Sequence, residues 1–284
     1  MNLESTRLET PAQPHLVIVP DSPLLQLNLR EVWDYRELLM FLTWRDIKVR
    51  YRQTLLGAAW AIVQPLTAMV IFSIVFGQLA KLPSDGIPYP IFTFTALLPW
   101  NFFSGALTRA TTSLVSSSNL LSKVYFPRVI IPLSATLGAL VDFAFAFLIL
   151  LGMMLFYGIG LTPRVLILPF LLLLALLAAF AMGLWLSALN VRYRDVNYVI
   201  PFLVQVWLYA SPVAYSSTLI PAQWQWLYGL NPLVGVIEGF RWALLGTSWE
   251  PGGLILISIV IVSAVLVSGL VYFQRMQDTF ADIV

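Results

Sequence analysis

PFLLLLALLAAF, residues 169–180, and GLILISIVIVSAVLVSGLVYF, residues 253–273, decide the fold class. Neither carries a charge, and about 20 mostly apolar residues are what a helix needs to cross a hydrocarbon core about 30 Å thick. The composition around them agrees: hydrophobic residues make up 59% of the 284 and charged residues 11%. A soluble domain carries about 25% charge, so a water-exposed globule would lack the means to cover its surface. Ample apolar mass excludes a disordered chain, zero cysteines exclude a disulfide scaffold or thiolate metal site, and a net charge of +2 excludes a nucleic-acid binder.

Working outward, apolar windows of spanning length fall at 57–80, 89–109, 129–157, 165–189, 198–215 and 253–273. Pro99 interrupts the second, and Pro201 and Pro212 the fifth, which membrane helices tolerate when neighbours satisfy the freed carbonyls. The expectation is an all-α polytopic membrane protein with six transmembrane helices. Placing both termini in the cytoplasm puts Arg7, Arg30, Arg36, Arg45, Lys48, Arg50, Arg52, Arg109, Lys123, Arg128, Arg192, Arg194 and Arg275 inside, against Lys81, Arg164 and Arg241 outside. That asymmetry is the positive-inside pattern. Residues 1–30, rich in proline and holding the lone His15, read as a mobile tail with no signal-peptide core.

Two segments depart from simple crossing. Residues 31–52 read as an amphipathic helix lying in the cytoplasmic interface, with Trp33, Met40, Trp44, Ile47 and Tyr51 on one stripe and Arg45, Lys48 and Arg52 on a neighbouring one. Before the last span, residues 216–252 hold PAQWQWLYGLNP and LVGVIEGFRWALLG, each too short to cross. They read as two short re-entrant or interfacial helices at the outer surface, turned at Asn231–Pro232, with Glu238 and Arg241 spaced to pair on one helix face.

No catalytic constellation is present: His15 lies in the tail, and GxSxG and HExxH are absent. Asp142 stands alone in the middle of the third span; it is a functional residue, or protonated, or bonded to a neighbouring helix. The three lysines, Lys48, Lys81 and Lys123, follow Ile, Ala and Ser, so no GK[ST] phosphate loop exists and any ATPase sits on another chain. Aromatic residues are abundant. They are either the belt that membrane proteins carry at both interfaces or, in part, rings lining a path for a ligand with apolar faces and many hydroxyls.

Five strings carry a resemblance: RDIKVRYRQTLLGAAWAIVQPL (45–66), LLPWNFFSGAL (97–107), NLLSKVYFPRVIIPLS (119–134), RYRDVNYVIPFLVQVWLYASPVAY (192–215) and NPLVGVIEGFR (231–241). In this order they resemble the permease subunit of ABC-2 polysaccharide exporters, which move O-antigen, capsular polysaccharide or teichoic acid. The resemblance implies a homodimer docked on two copies of a cytoplasmic ATPase that holds ATP and Mg, with no cofactor on this chain, in a bacterial inner membrane. It implies that 31–52 is the interfacial helix, with Trp44, Arg45, Lys48 and Arg52, and that the short outer helices, with Trp224, Trp226, Glu238 and Arg241, form a gate.

It further implies a coupling helix between the second and third spans, where Leu120, Leu121, Lys123, Tyr125, Phe126 and Arg128 contact or position the ATPase and Leu120, Leu121 and Val124 share a face. Arg192 and Arg194 form a second contact. Trp100, Phe103, Trp207, Tyr209 and Tyr215 would line the path of a lipid-linked glycan, moved processively as ATP closure separates the two permease copies. Rival readings are an ABC-2 permease for a small hydrophobic drug or lipid, and a membrane-embedded transferase acting on a lipid-linked sugar.

Overall fold

The computed structural model describes residues 29–52, 59–121, 123–247 and 250–283, and these form helices and connecting turns without a strand. Helices α1 (Leu29–Asp34) and α2 (Arg36–Arg52) come first, and α3 (Ala59–Phe72) runs on into π-helical turns over Ser73–Leu79. There follow α4 (Tyr89–Ser116), the single turn α5 (Ser118–Leu121), α6 (Ile130–Leu137), α7 (Ala139–Tyr157) and α8 (Leu168–Arg192). The chain ends with α9 (Val196–Ala210), α10 (Ala222–Tyr228), α11 (Pro232–Leu245) and α12 (Gly252–Ile283). The expected tail, His15 included, lies outside the described residues apart from Leu29 and Arg30, as does the start of the first expected span.

Among the described residues, Ala59–Leu79, Ile130–Tyr157, Pro163–Arg192 and Gly252–Gln277 are long and apolar enough to cross a membrane. These coincide with the expected windows at 57–80, 129–157, 165–189 and 253–273. The other two windows fall on α4 and α9. With 28 residues α4 has the length, but Thr93, Thr95, Asn101, Thr108, Arg109 and Thr111 dilute its apolar character. The 15 residues of α9 rise only about 22 Å at about 1.5 Å each.

α4 is the central helix, packing on α3, α6, α7, α8, α9 and α11. Two cores stack along it. The larger joins Phe94, Leu97 and Phe103 of α4 to Leu171 and Ala175 of α8, Val236 and Phe240 of α11, and Val262 of α12. The smaller joins Leu42 of α2, Leu114 of α4, Leu121 of α5, Ile131 of α6, Leu184 of α8, and Phe273 and Phe280 of α12. One end of the bundle thus holds α1, α2, α5 and α6, and the opposite end the connection from α9 to α11.

Both short helices expected before the last span are present, broken near Asn231, whose side chain accepts from the Leu233 amide 3.0 Å away and caps α11 with Pro232 at its first position. Their settings differ. Trp224 and Trp226 of α10 are exposed, whereas α11 is enclosed by α4, α8 and α12. Gly235 and Gly239 allow this: a Cβ on Gly235 would lie 2.6 Å from the Leu254 carbonyl oxygen, and one on Gly239 2.8 Å from Leu171. Small residues four apart are how membrane helices bring backbones together.

The stripe read on α2 also has a different neighbour from a protein core. Trp33, Met40 and Trp44 are about two-thirds exposed, and the helix packs inward through Leu42 with Leu38 and Leu39 beside it.

Candidate functional site

At the α2 end, the coupling segment is one helical turn followed by irregular chain, with Ser122 outside the described residues. Leu121 and Phe126 turn into the smaller core, Leu120 is half-buried, and Lys123, Val124 and Tyr125 project outward, Tyr125 at 84% exposure. Leu120, Leu121 and Val124 therefore do not share one face; the segment has buried anchors and a protruding tip. Arg128 is partly buried, with one guanidinium nitrogen enclosed and without a partner. In the second connection Arg192 and Arg194 are exposed, Arg192 lying 5.4 Å over the Tyr193 ring. Just before it, the buried Asn190 amide donates to the Thr111 carbonyl at 3.1 Å, tying this connection to the end of α4.

At the opposite end Glu238 and Arg241 form a hub. Arg241 is fully buried, its guanidinium 3.6 Å above the Phe92 ring, and its Nη1 donates to Glu238 at 3.0 Å and to the Tyr215 carbonyl at 3.1 Å. Nη2 donates to the Val213 carbonyl at 3.0 Å. Glu238 accepts in turn from the Ser217 hydroxyl at 2.8 Å and the Ser217 amide at 3.2 Å. The pair expected from the sequence exists, but its work is wider than mutual neutralisation: it pins residues 213–217 to α11 and α4. Tyr89 adds a bond from its hydroxyl to the Ala214 carbonyl, and Asn231 reaches Ser211 at 2.9 Å.

The aromatic residues expected along a path separate into two groups. Trp100 and Phe103 are buried in the larger core, with no face open. Trp207 packs edge-on against Phe103, ring centres 5.1 Å apart. Tyr209 is 56% exposed, and its carbonyl accepts from the Tyr215 hydroxyl, which itself accepts from Tyr228. On α2, Trp44, Lys48 and Arg52 are exposed, and Arg45 pairs with Asp46 at 2.9 Å.

Asp142 does not stand alone. Arg50 and Tyr51, from the last turn of α2, and Arg109 of α4 all donate to it: Arg50 and Arg109 to Oδ2, Arg109 at 3.1 Å, and Tyr51 to Oδ1. Of the three expected alternatives the bond to a neighbouring helix holds, because α6 packs along α2 and the turn at Gly138 brings Asp142, in the first turn of α7, beside the end of α2. Burial, then the hydrogen bond to Asp142, pushes the Tyr51 phenol up to about 12, so it stays a donor. The cluster forms one end of a cavity of about 300 Å³ between α2, α3, α4 and α7, lined also by Trp60, Gln64, Asn101 and Ser104. Nothing in the spacing of Arg50, Arg109 and Asp142 announced it.

Relatives among the polysaccharide export permeases match most of the chain. It is 29% identical over 258 residues to the O-antigen export system permease protein RfbA of Myxococcus xanthus, covering 89% of this chain and 98% of that protein. The protein of the same name from Klebsiella pneumoniae is 27% identical over 91% of this chain and 98% of its own length. The polysialic acid transport protein KpsM of Escherichia coli is 26% identical over 71% and 78%. The ABC-2 type transporter family model matches residues 37–245, from α2 through α11, taking in the coupling segment, the Asp142 cluster and the hub. That match covers most of the chain, through every helix from α2 to α11, and the chain belongs to the ABC-2 type transporter family.

Proposed function

We propose that this chain is the membrane-spanning permease subunit of an ATP-driven exporter that carries a lipid-linked polysaccharide of the O-antigen kind across a bacterial inner membrane. The observation that carries the reading is the alignment of 89% of the chain with nearly the full length of an O-antigen export permease. In this reading α4 and α9 complete six crossings with the four apolar helices, both termini face the cytoplasm, and α10 and α11 are the re-entrant outer gate. Two copies of the permease work with two copies of an ATPase that carries ATP and Mg. Lys123, Val124 and Tyr125 supply the contact with that ATPase, with Arg192 and Arg194 beside them, while Leu121 and Phe126 transmit its movement into the smaller core. Trp207 and Tyr209 belong to the glycan path as the two copies part.

A permease for a small hydrophobic drug would share the coupling but needs no polymer path, and the matched relatives named for polysaccharides weigh against it. Deleting the gene should remove a surface polysaccharide while its lipid-linked precursor accumulates inside, and plasmid-borne wild-type permease should restore it. An unchanged surface glycan in the deletion strain would overturn the reading.

A further inference from the structure

The connection from α9 to α10 is turns and irregular chain, yet Ser211, Val213, Ser216 and Ser217 are at most 2% exposed. Buried backbone of this kind holds only where its polar groups find partners, and here the partners come from two sides. On one side is the hub: Arg241 donates to the Val213 and Tyr215 carbonyls, and Glu238 accepts from the Ser217 amide and hydroxyl. On the other is the turn that leads into α4. The Ser216 hydroxyl donates to Asp85 Oδ2 at 2.8 Å, and the Tyr89 hydroxyl donates to the Ala214 carbonyl. Thr218 donates its amide and its hydroxyl to the same Ser216 oxygen, at 3.3 and 2.9 Å, which leaves the one Ser216 proton for Asp85.

The two sides differ in firmness. Arg241 and Glu238 lie within the packing of α11, fully or almost fully buried. Asp85 is exposed, in a turn over residues 80–88 where Lys81 and Asp85 have positive φ, 52° and 53°, and Gly86 follows at 78°. Left-handed backbone is uncommon for residues that carry a side chain and persists where the surroundings hold it; the bond from Ser216 holds Asp85. Behind this turn, α3 and its π-helical end contribute a single buried residue, Pro65. π-helical turns are rare and recur at functional places in helices. Here Gly77 lies against the Tyr89 ring, where a Cβ would come within 2.7 Å. A shift of α3 therefore reaches Asp85 along the chain and Tyr89 through Gly77, without opening a core.

We infer that residues 211–218 are a strap across the outer end of the bundle, fastened permanently to α11 and releasably to the turn at 80–88, so that movement of α3 unlatches Ser216 from Asp85 and Ala214 from Tyr89. Taken with the proposed export role, on which this step rests, the latched form is the closed exit, and the first span is what works it.

The latch is tested on the full chain purified in neutral detergent, by hydrogen exchange read in peptides covering 211–218 and 232–245. Asp85→Ala removes the acceptor at an exposed position and should speed exchange in the strap about tenfold, the scale of a lost hydrogen bond to a charged group, with α11 unchanged. Asp85→Asn keeps an acceptor and should fall between that variant and wild type. Gly77→Ala, which pushes on the Tyr89 ring, should speed the strap as well. Unchanged strap exchange in Asp85→Ala, or an equal rise in strap and α11, would overturn the latch. The role in export is tested in cells. The chain has no cysteine, so Asp85→Cys with Ser216→Cys supplies its two thiols, and a short bifunctional thiosulfonate should stop the appearance of new surface glycan until a reductant is added. Neither single variant should respond. Continued export through the joined pair would overturn the gating step. The exchange measurements involve no glycan and no ATPase, so failure of the latch is distinguishable from failure of the export role.

Discussion

Replacing Arg241 by methionine isolates the hub. The substitution keeps much of the apolar stem over Phe92 but removes the donors to Glu238, Tyr215 and Val213. Glu238, 3% exposed, is then left with only the two Ser217 bonds for company. Breaking one side of a buried ion pair costs about 3–5 kcal/mol, and a domain of about 150–250 residues loses about 2–4 °C of midpoint per kcal/mol. The apparent midpoint in detergent, taken at one fixed scan rate because such unfolding is irreversible, should fall by about 6–20 °C. Adding Glu238→Gln removes the stranded charge while keeping an acceptor for Ser217, so the double variant should melt above Arg241→Met. A single variant within about 2 °C of wild type, or a double variant melting lower than the single, would refute the argument.

Gly235→Ala forces a methyl against the Leu254 carbonyl and should cost about 1–3 kcal/mol of stability, whereas Gly239→Ala meets only the movable end of Leu171 and should cost less; thermal midpoints of the two variants decide. Joint replacement of Leu120, Lys123 and Tyr125 by alanine should abolish co-purification of the ATPase and shift the midpoint by no more than about 2 °C, since Lys123 and Tyr125 are exposed and such sites contribute within about 0.5 kcal/mol each. Tyr51 has its pKa raised from 10.0 to about 12, so the stability it contributes is present below pH 10 and lost as pH rises toward 12. Midpoints measured across that window should fall more steeply for wild type than for Tyr51→Phe.

Local signals were legible where a residue's neighbours in space are also its neighbours in sequence. Apolar runs marked the four apolar helices, Asn231–Pro232 marked the start of α11, and a spacing of three put Arg241 on the same face as Glu238. Periodicity found the aromatic stripe on α2 but could not say which side packs, because Leu38, Leu39 and Leu42 form a second apolar side of the same helix. The enclosure of α11 was hidden for a similar reason. Its length said only that it is too short to cross, and only the glycines at 235 and 239 betray how closely α8 and α12 approach.

The missed features share a cause. Arg241 binds the carbonyls of Val213 and Tyr215, and every residue but for its side chain offers that same acceptor, so no residue type in 211–217 could advertise the contact. Asp142 finds partners separated from it by 92 and 33 positions, and the register that joins them depends on where α6 ends and α7 begins. A carboxylate read as alone in its span has no partner to name; the same carboxylate beside the basic end of α2 has three. Register against α4 and the end of α2, more than residue identity, therefore sets what Asp142 can do, and register is a property of packing that the order of residues alone does not carry.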